Sequence, residues 1–204
     1  MEKKTILFAP GRNEGLTSRP YGDVLNALED IGYTARFVDI DWTVKAPTAD
    51  GVARQLEAAY EEYPDTSQVI LGGFSFGAVA ALLVAARQVE DRQPTGLVLA
   101  SLSPFFQEDL ASTSFTNELL AAGYSARQLE GYKQMVFAEI AKHISCNVQL
   151  FVGYDERAEL AFRSEEAERI LPHAQLTTVL DVGHDVADPL YVATMQAHLS
   201  TVVF

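Results

Sequence analysis

Ser75 stands at the centre of Gly73-Phe74-Ser75-Phe76-Gly77, a G-x-S-x-G pentapeptide. A serine hydroxyl is a poor nucleophile at neutral pH, so it needs an exposed position and a base within hydrogen-bond reach. The flanking residues supply the exposure. The apolar run Val69-Ile70-Leu71-Gly72 leads in, and Ala78-Val79-Ala80-Ala81-Leu82-Leu83-Val84-Ala85-Ala86 leads out, which reads as strand, sharp turn and helix. At the apex of such a turn the backbone is strained and the hydroxyl projects. The two glycines are needed because side chains there would collide where strand and helix nearly touch. The chemistry this pattern serves is attack of the serine oxygen on a carbonyl.

The elements around the pentapeptide alternate along the whole chain. Apolar, β-branched runs predict strands over Thr5–Pro10, Thr34–Ile40, Val69–Phe74, Gly96–Leu102, Asn147–Gly153 and Gln175–Val182. Helical patterns lie between them near Tyr21–Ile31, Asp50–Tyr63, Phe76–Glu90, Arg127–His143 and Phe162–Leu171, with a last helix near Pro189–Leu199. Asp188-Pro189 is a start signal for that helix, and Pro172 stops the one before it. Such alternation predicts a three-layer α/β sandwich: a mostly parallel sheet with right-handed crossovers and helices on both faces. The one long interruption is Ser103–Ser125, with Pro104-Phe105-Phe106 and a helix-like Asn117–Ala122.

With its strand-turn-helix context, the pentapeptide makes the chain resemble the α/β-hydrolase superfamily. The resemblance covers essentially the whole chain in element order, and its specific parts are the elbow and the Gly183-His184 pair after the last strand. It implies an N-terminally trimmed, six-stranded sheet, starting at what resembles the family's third strand, in the order 2-1-3-4-5-6. Residues 103–125 would be a minimal cap-like insertion in a single domain spanning residues 1–204. The implied order has a switch point between strands one and three, where ligands bind beyond the carboxyl ends.

The resemblance also implies a Ser, then Asp/Glu, then His order of partners. Of the four histidines, His143 ends an amphipathic helix, His173 follows Pro172 in a surface turn and His198 lies in the last helix. His184 sits directly after the last strand, where resembling hydrolases carry their base. The family's acid follows the penultimate strand, usually as Gly-x-x-Asp/Glu, and here that turn reads Gly153-Tyr154-Asp155-Glu156. Spacing favours Glu156, residue type favours Asp155, and Glu156 is preferred; Asp181, Asp185 and Asp188 are weaker candidates. The oxyanion donors implied are the backbone N–H groups of Phe76 and Arg12, the latter from Pro10-Gly11-Arg12, where family members commonly have His-Gly-x. The Arg12 guanidinium could also bind an anionic substrate group, or simply be solvated. Phe74, Phe105 and Phe106 are candidate acyl-pocket residues.

The function so implied is a serine hydrolase that cleaves a small-molecule carboxylic ester or thioester through an acyl-enzyme. The same triad would also serve an acyltransferase or a peptidase, and a binding protein could keep the fold without turnover. The rest of the sequence agrees with a cofactor-free enzyme. No two histidines stand at i, i+4, there is no cysteine cluster, and Gly72–Gly77 is not a dinucleotide-binding glycine pattern, so neither metal nor nucleotide is expected. Acidic residues outnumber basic ones 28 to 15, and a net charge of -13 disfavours nucleic acid and anionic membrane. The five-residue apolar run after Lys4 is too short for a signal peptide and no stretch suits a bilayer, so a cytoplasmic location is expected. The single cysteine, Cys146, forms no internal disulfide and reads as a small buried residue.

Overall fold

A computed structural model describes residues 4–43, 48–64 and 68–204. The strands are β1 (Thr5–Ala9), β2 (Thr34–Phe37), β3 (Val69–Phe74), β4 (Gly96–Ala100), β5 (Asn147–Gly153) and β6 (Ala174–Val179). All pair in parallel, in the order β2-β1-β3-β4-β5-β6. The helices are α1 (Tyr21–Asp30), α2 (Ala49–Glu61), α3 (Phe76–Arg87), α4 (Thr113–Ala121), α5 (Ala126–Tyr132), α6 (Phe137–Ala141), α7 (Ala158–Ile170) and α8 (Pro189–Leu199), with 3-10 turns at Glu90–Arg92 and Asp109–Ala111.

Alternation along the strands divides the core in two. Ile6, Phe8, Ile70, Phe74, Val98 and Phe151 face a layer built on Tyr21, Val24 and Leu28 of α1 and on Tyr191, Met195 and Leu199 of α8. Leu7, Leu71, Leu97, Leu99 and Leu150 face the opposite layer, which α2 to α7 supply. Every residue of β3 is buried, as a strand covered on both faces requires. The apolar helix α3 packs between the sheet and its neighbours, with all residues from Phe76 to Ala85 buried. Its full burial explains why it is apolar all round.

Local signals start several elements where the sequence predicts. The Asp188 carboxylate accepts the Leu190 N–H at 2.8 Å, capping α8 with Pro189 in its first turn. Elsewhere tertiary contacts prevail over periodicity. The helix expected over Arg127–His143 is two short helices. A Ser125–Gln128 capping box starts α5, and then Val136 is extended. The Met135 carbonyl there accepts the Gln107 N–H, while the Glu108 carboxylate accepts the Phe137 and Ala138 N–H groups at 3.1 and 3.2 Å. These bonds to the segment after β4 break the helix and restart it as α6. Strands β2, β4 and β6 end earlier than the apolar runs suggest, because Val38, Leu102 and Val182 are buried in loops beyond the last paired residues. Helix α7 starts earlier than expected, at Ala158, and α4 is longer than its helix-like core.

Candidate active site

The loops at the carboxyl ends of β1, β3, β4, β5 and β6 converge. Between β3 and α3 the chain reverses at Ser75, whose φ of 56° and ψ of -112° lie outside the regions side chains favour. The turn is that tight because α3 starts against the loop after β1. A Cβ on Gly77 would lie 2.2 Å from the Ala9 carbonyl oxygen and 2.5 Å from that of Pro10. Positive φ also occurs at Asn13 after β1, Ser101 after β4 and Asp181 after β6, all on this end of the sheet, whereas His173 adopts it just before β6.

Ser75, His184 and Glu156 form one hydrogen-bonded chain. Ser75 Oγ lies 3.0 Å from His184 Nε2, and His184 Nδ1 lies 2.7 Å from Glu156 Oε2. The Glu156 side chain is fully buried, whereas the imidazole is 39% exposed. The other carboxylate oxygen accepts the Gly153 N–H at 2.8 Å and the Ser101 hydroxyl at 2.5 Å. A carboxylate can only accept, so Nδ1 carries a proton and Nε2 is left as the acceptor for Ser75. The Ser101 proton is committed to Glu156, so the buried Tyr191 hydroxyl, 3.1 Å away, donates to Ser101. Burial pushes the Tyr191 phenol well above its ordinary pKa, keeping that donor protonated. By the same accounting Ser103, 3.1 Å from Ser75 Oγ, donates to it.

The loops after β5 and β6 are zipped together, which brings Glu156 to His184. Tyr154 and Asp155 donate their N–H groups to the Val179 and Val182 carbonyls at 2.8 and 2.9 Å. A Cβ on Gly153 would meet the Val182 oxygen at 2.4 Å, so only glycine permits this approach. Asp155 points outward and is exposed; the carboxylate that meets His184 is that of Glu156. Asp188 caps α8, and Asp185 pairs with Arg19 at 2.8 Å.

Arg19 belongs to a network that sequence reasoning missed. It donates to Glu14 at 2.6 Å, and Glu14 accepts the Tyr21 hydroxyl at 2.5 Å. The Tyr21 oxygen in turn accepts the Gly11 N–H at 3.0 Å, and Trp42 Nε1 donates to the Glu14 carbonyl at 2.7 Å. Burial, then the bond to Glu14, pushes the Tyr21 phenol far up, so it stays a donor. Through Arg19 the loop after β1 is tied to the one that carries His184. Ser101, Ser103 and Tyr191 were also missed. The signal for the serines was their position at the carboxyl end of the strand next to β3, whereas nothing local marks Tyr191.

The aromatic residues do not form one wall. Phe74 belongs to the α1–α8 layer and backs the imidazole, its ring 4.6 Å from that of His184. Phe106 is fully buried against Phe137 and the Arg163 guanidinium. Phe105 stacks on Tyr132 at 5.0 Å beside Phe76, on the far side of the elbow from Phe74. The Arg12 guanidinium lies over the Tyr124 ring, 3.8 Å from its centroid. Among the described residues, no turn or loop bond between backbone groups uses the N–H of Arg12 or of Phe76. The remaining histidines lie elsewhere: His143 follows α6, His173 turns into β6, and His198 is held by Gln149 at 2.7 Å. Among the described residues no group of acidic, histidine or cysteine side chains is arranged to hold a metal, and no helix is long and apolar enough to cross a membrane.

No family model and no curated protein matches the sequence. Solved structures do. Est1E from Butyrivibrio proteoclasticus superposes with a TM-score of 0.77 at 14% identity, over 98% of this chain and 86% of that one. Mouse alpha/beta hydrolase domain-containing protein 10 gives a TM-score of 0.77 at 14% identity, over 98% and 90%. A lipase-esterase related protein from Clostridium acetobutylicum gives 0.70 at 17% identity, over 99% and 95%. With its parallel strand order and the sharp turn at Ser75, the chain has the α/β-hydrolase fold.

Proposed function

We propose that the protein is a serine hydrolase that cleaves a carboxylic ester or thioester through an acyl-enzyme on Ser75. The observation that carries this reading is the unbroken chain of hydrogen bonds from Ser75 through His184 to the buried Glu156, at 3.0 and 2.7 Å, beginning at a strained turn. Ser75 Oγ attacks the carbonyl carbon while its proton passes to His184 Nε2. The Glu156 carboxylate holds the imidazole in the accepting tautomer and stabilises the imidazolium. Charge collects on the former carbonyl oxygen, for which the Phe76 and Arg12 backbone N–H groups are the donors. His184 then protonates the departing alcohol or thiol, leaving the acyl group on Ser75. Water repeats the sequence in the second half-reaction, and the acid leaves with both partners restored. Ser103, donating to Ser75 Oγ, engages one of its two lone pairs, so that its own proton faces His184 and the other lone pair is free for attack. The fold's likeness to proteins described as hydrolases supports the same reaction class.

The test combines a fluorophosphonate probe with a nitrophenyl ester series from acetate to laurate. Covalent labelling should map to Ser75 and vanish in Ser75→Ala, with turnover falling by several orders of magnitude and the fold retained. Folded native protein that takes up no label and hydrolyses no ester would refute the reading, as would undiminished activity in Ser75→Ala.

A further inference from the structure

Three buried polar side-chain atoms lack a hydrogen-bond partner among the described residues. One is Ser164 Oγ in α7. The other two, Arg12 Nε and Tyr132 Oη, belong to one aromatic cluster beside the elbow. Arg12 rests on Tyr124, whose ring lies 6.3 Å from that of Tyr132. Tyr132 meets Phe76, the residue after Ser75, edge-on at 6.2 Å. Burial raises the Tyr132 phenol while the Arg12 charge opposes the rise, so the two groups share a field.

An unpaired buried donor is costly, and on a cation more so. The other sheltered arginines of this acidic chain avoid the cost, since Arg19 is paired with Glu14 and Arg163 with Asp109. Arg12 has no carboxylate partner among the described residues. Its plane is held instead by the Tyr124 face, and no described residue accepts from its Nε. A planar fork with an open edge matches a carboxylate, which can accept two parallel N–H bonds. The partner the protein does not provide would then come with the ligand.

We propose that Arg12, ordered by Tyr124 and flanked by Tyr132, selects substrates that carry a free carboxylate in addition to the scissile ester or thioester. This rests on the hydrolase reading of Ser75 and names the substrate class of the same site. The guanidinium gives up part of its hydration on folding, and the substrate carboxylate replaces it. A neutral substrate leaves that edge open.

Two matched pairs of esters test this. Nitrophenyl butyrate against nitrophenyl hemiglutarate varies the acyl part; the methyl ester of carboxyphenyl butyrate against its free acid varies the alcohol part. The native protein should prefer the anion in at least one pair, by about tenfold to a hundredfold in kcat/KM, as expected of a charge-assisted hydrogen bond. Arg12→Gln should abolish the preference and Arg12→Lys should restore part of it. The ratio within a pair divides out any effect on the backbone donor of the same residue. No preference in either pair overturns the proposal, and so does an equal loss for anionic and neutral esters in Arg12→Gln. If the native protein hydrolyses none of the four, the hydrolase reading fails instead. Calorimetric binding of the same pairs to Ser75→Ala then decides the anion question, and equal affinity within both pairs rejects it.

Discussion

Replacing Glu156 by glutamine changes one carboxylate oxygen into an amide NH2 and tests the whole hydrogen-bond chain. Glu156 uses both oxygens: one accepts from Gly153 N–H and Ser101, the other from His184 Nδ1. The glutamine amide can turn only two ways. With its NH2 toward Gly153, two donors face each other and a buried backbone N–H loses its acceptor, which costs about 1–3 kcal/mol. With its NH2 toward His184, Gly153 and Ser101 stay satisfied, but the imidazole must present a bare Nδ1 and carry its proton on Nε2. That tautomer faces Ser75 with a donor and cannot take its proton. The favoured amide orientation is therefore the inactive one, and the productive one is populated about 5- to 150-fold less. The productive minority also lacks the charge that stabilises the imidazolium, and a charge-assisted bond is roughly twice as strong as a neutral one. Together these predict a fall in kcat of about three to four orders of magnitude, comparable to the loss on making the orienting aspartate of a protease triad neutral. Asp155→Asn, at an exposed residue whose carboxylate does not face the imidazole, should change kcat less than threefold by the usual behaviour of surface substitutions. Both variants would be assayed on nitrophenyl butyrate, with circular dichroism and Tm as checks of folding. A tenfold or smaller effect of Glu156→Gln in a folded protein, or a hundredfold effect of Asp155→Asn, would refute the reasoning.

Gly77→Ala would push a methyl into the Ala9 and Pro10 carbonyls. It should cost about 3 kcal/mol and lower Tm by about 6–12 °C in calorimetry. Asp109→Ala would strand the Arg163 guanidinium, whose side chain is 2% exposed and paired at 2.5 Å. The expected loss is about 3–5 kcal/mol in urea unfolding, and less than 1 kcal/mol would count against a stabilising role for that ion pair. Cys146 is half-buried rather than fully buried as expected, and that burial still pushes its thiol up to about 12, so little of it is thiolate at pH 8. Ellman's reagent should react slowly with native protein and fast after unfolding, and rapid labelling of native protein would contradict that burial.

Part of this protein was legible in one dimension because the information is local. The elbow at Ser75 needs only adjacent glycines, a strand before and a helix after, and β3 and α3 carry all of it. The α8 start at Asp188-Pro189 is likewise a matter of neighbours, and apolar runs located the strands, whereas the order β2-β1-β3-β4-β5-β6 was implied only by the family resemblance. The periodicity over Arg127–His143 was misleading because Glu108 and Gln107, distant in sequence, supply the bonds that split it. Asp155 and Glu156 could not be separated by type or spacing with certainty. Which carboxylate meets His184 depends on how the loops after β5 and β6 zip across Gly153 and Val182, a contact between residues about thirty apart. The partners behind that contact, Ser101 and Tyr191, are hydrogen-bonded across ninety positions and carry no motif of their own. Side-chain type and near-neighbour sterics are properties of the chain. The direction of a hydrogen bond between distant loops is a property of packing, and only the folded molecule decides it.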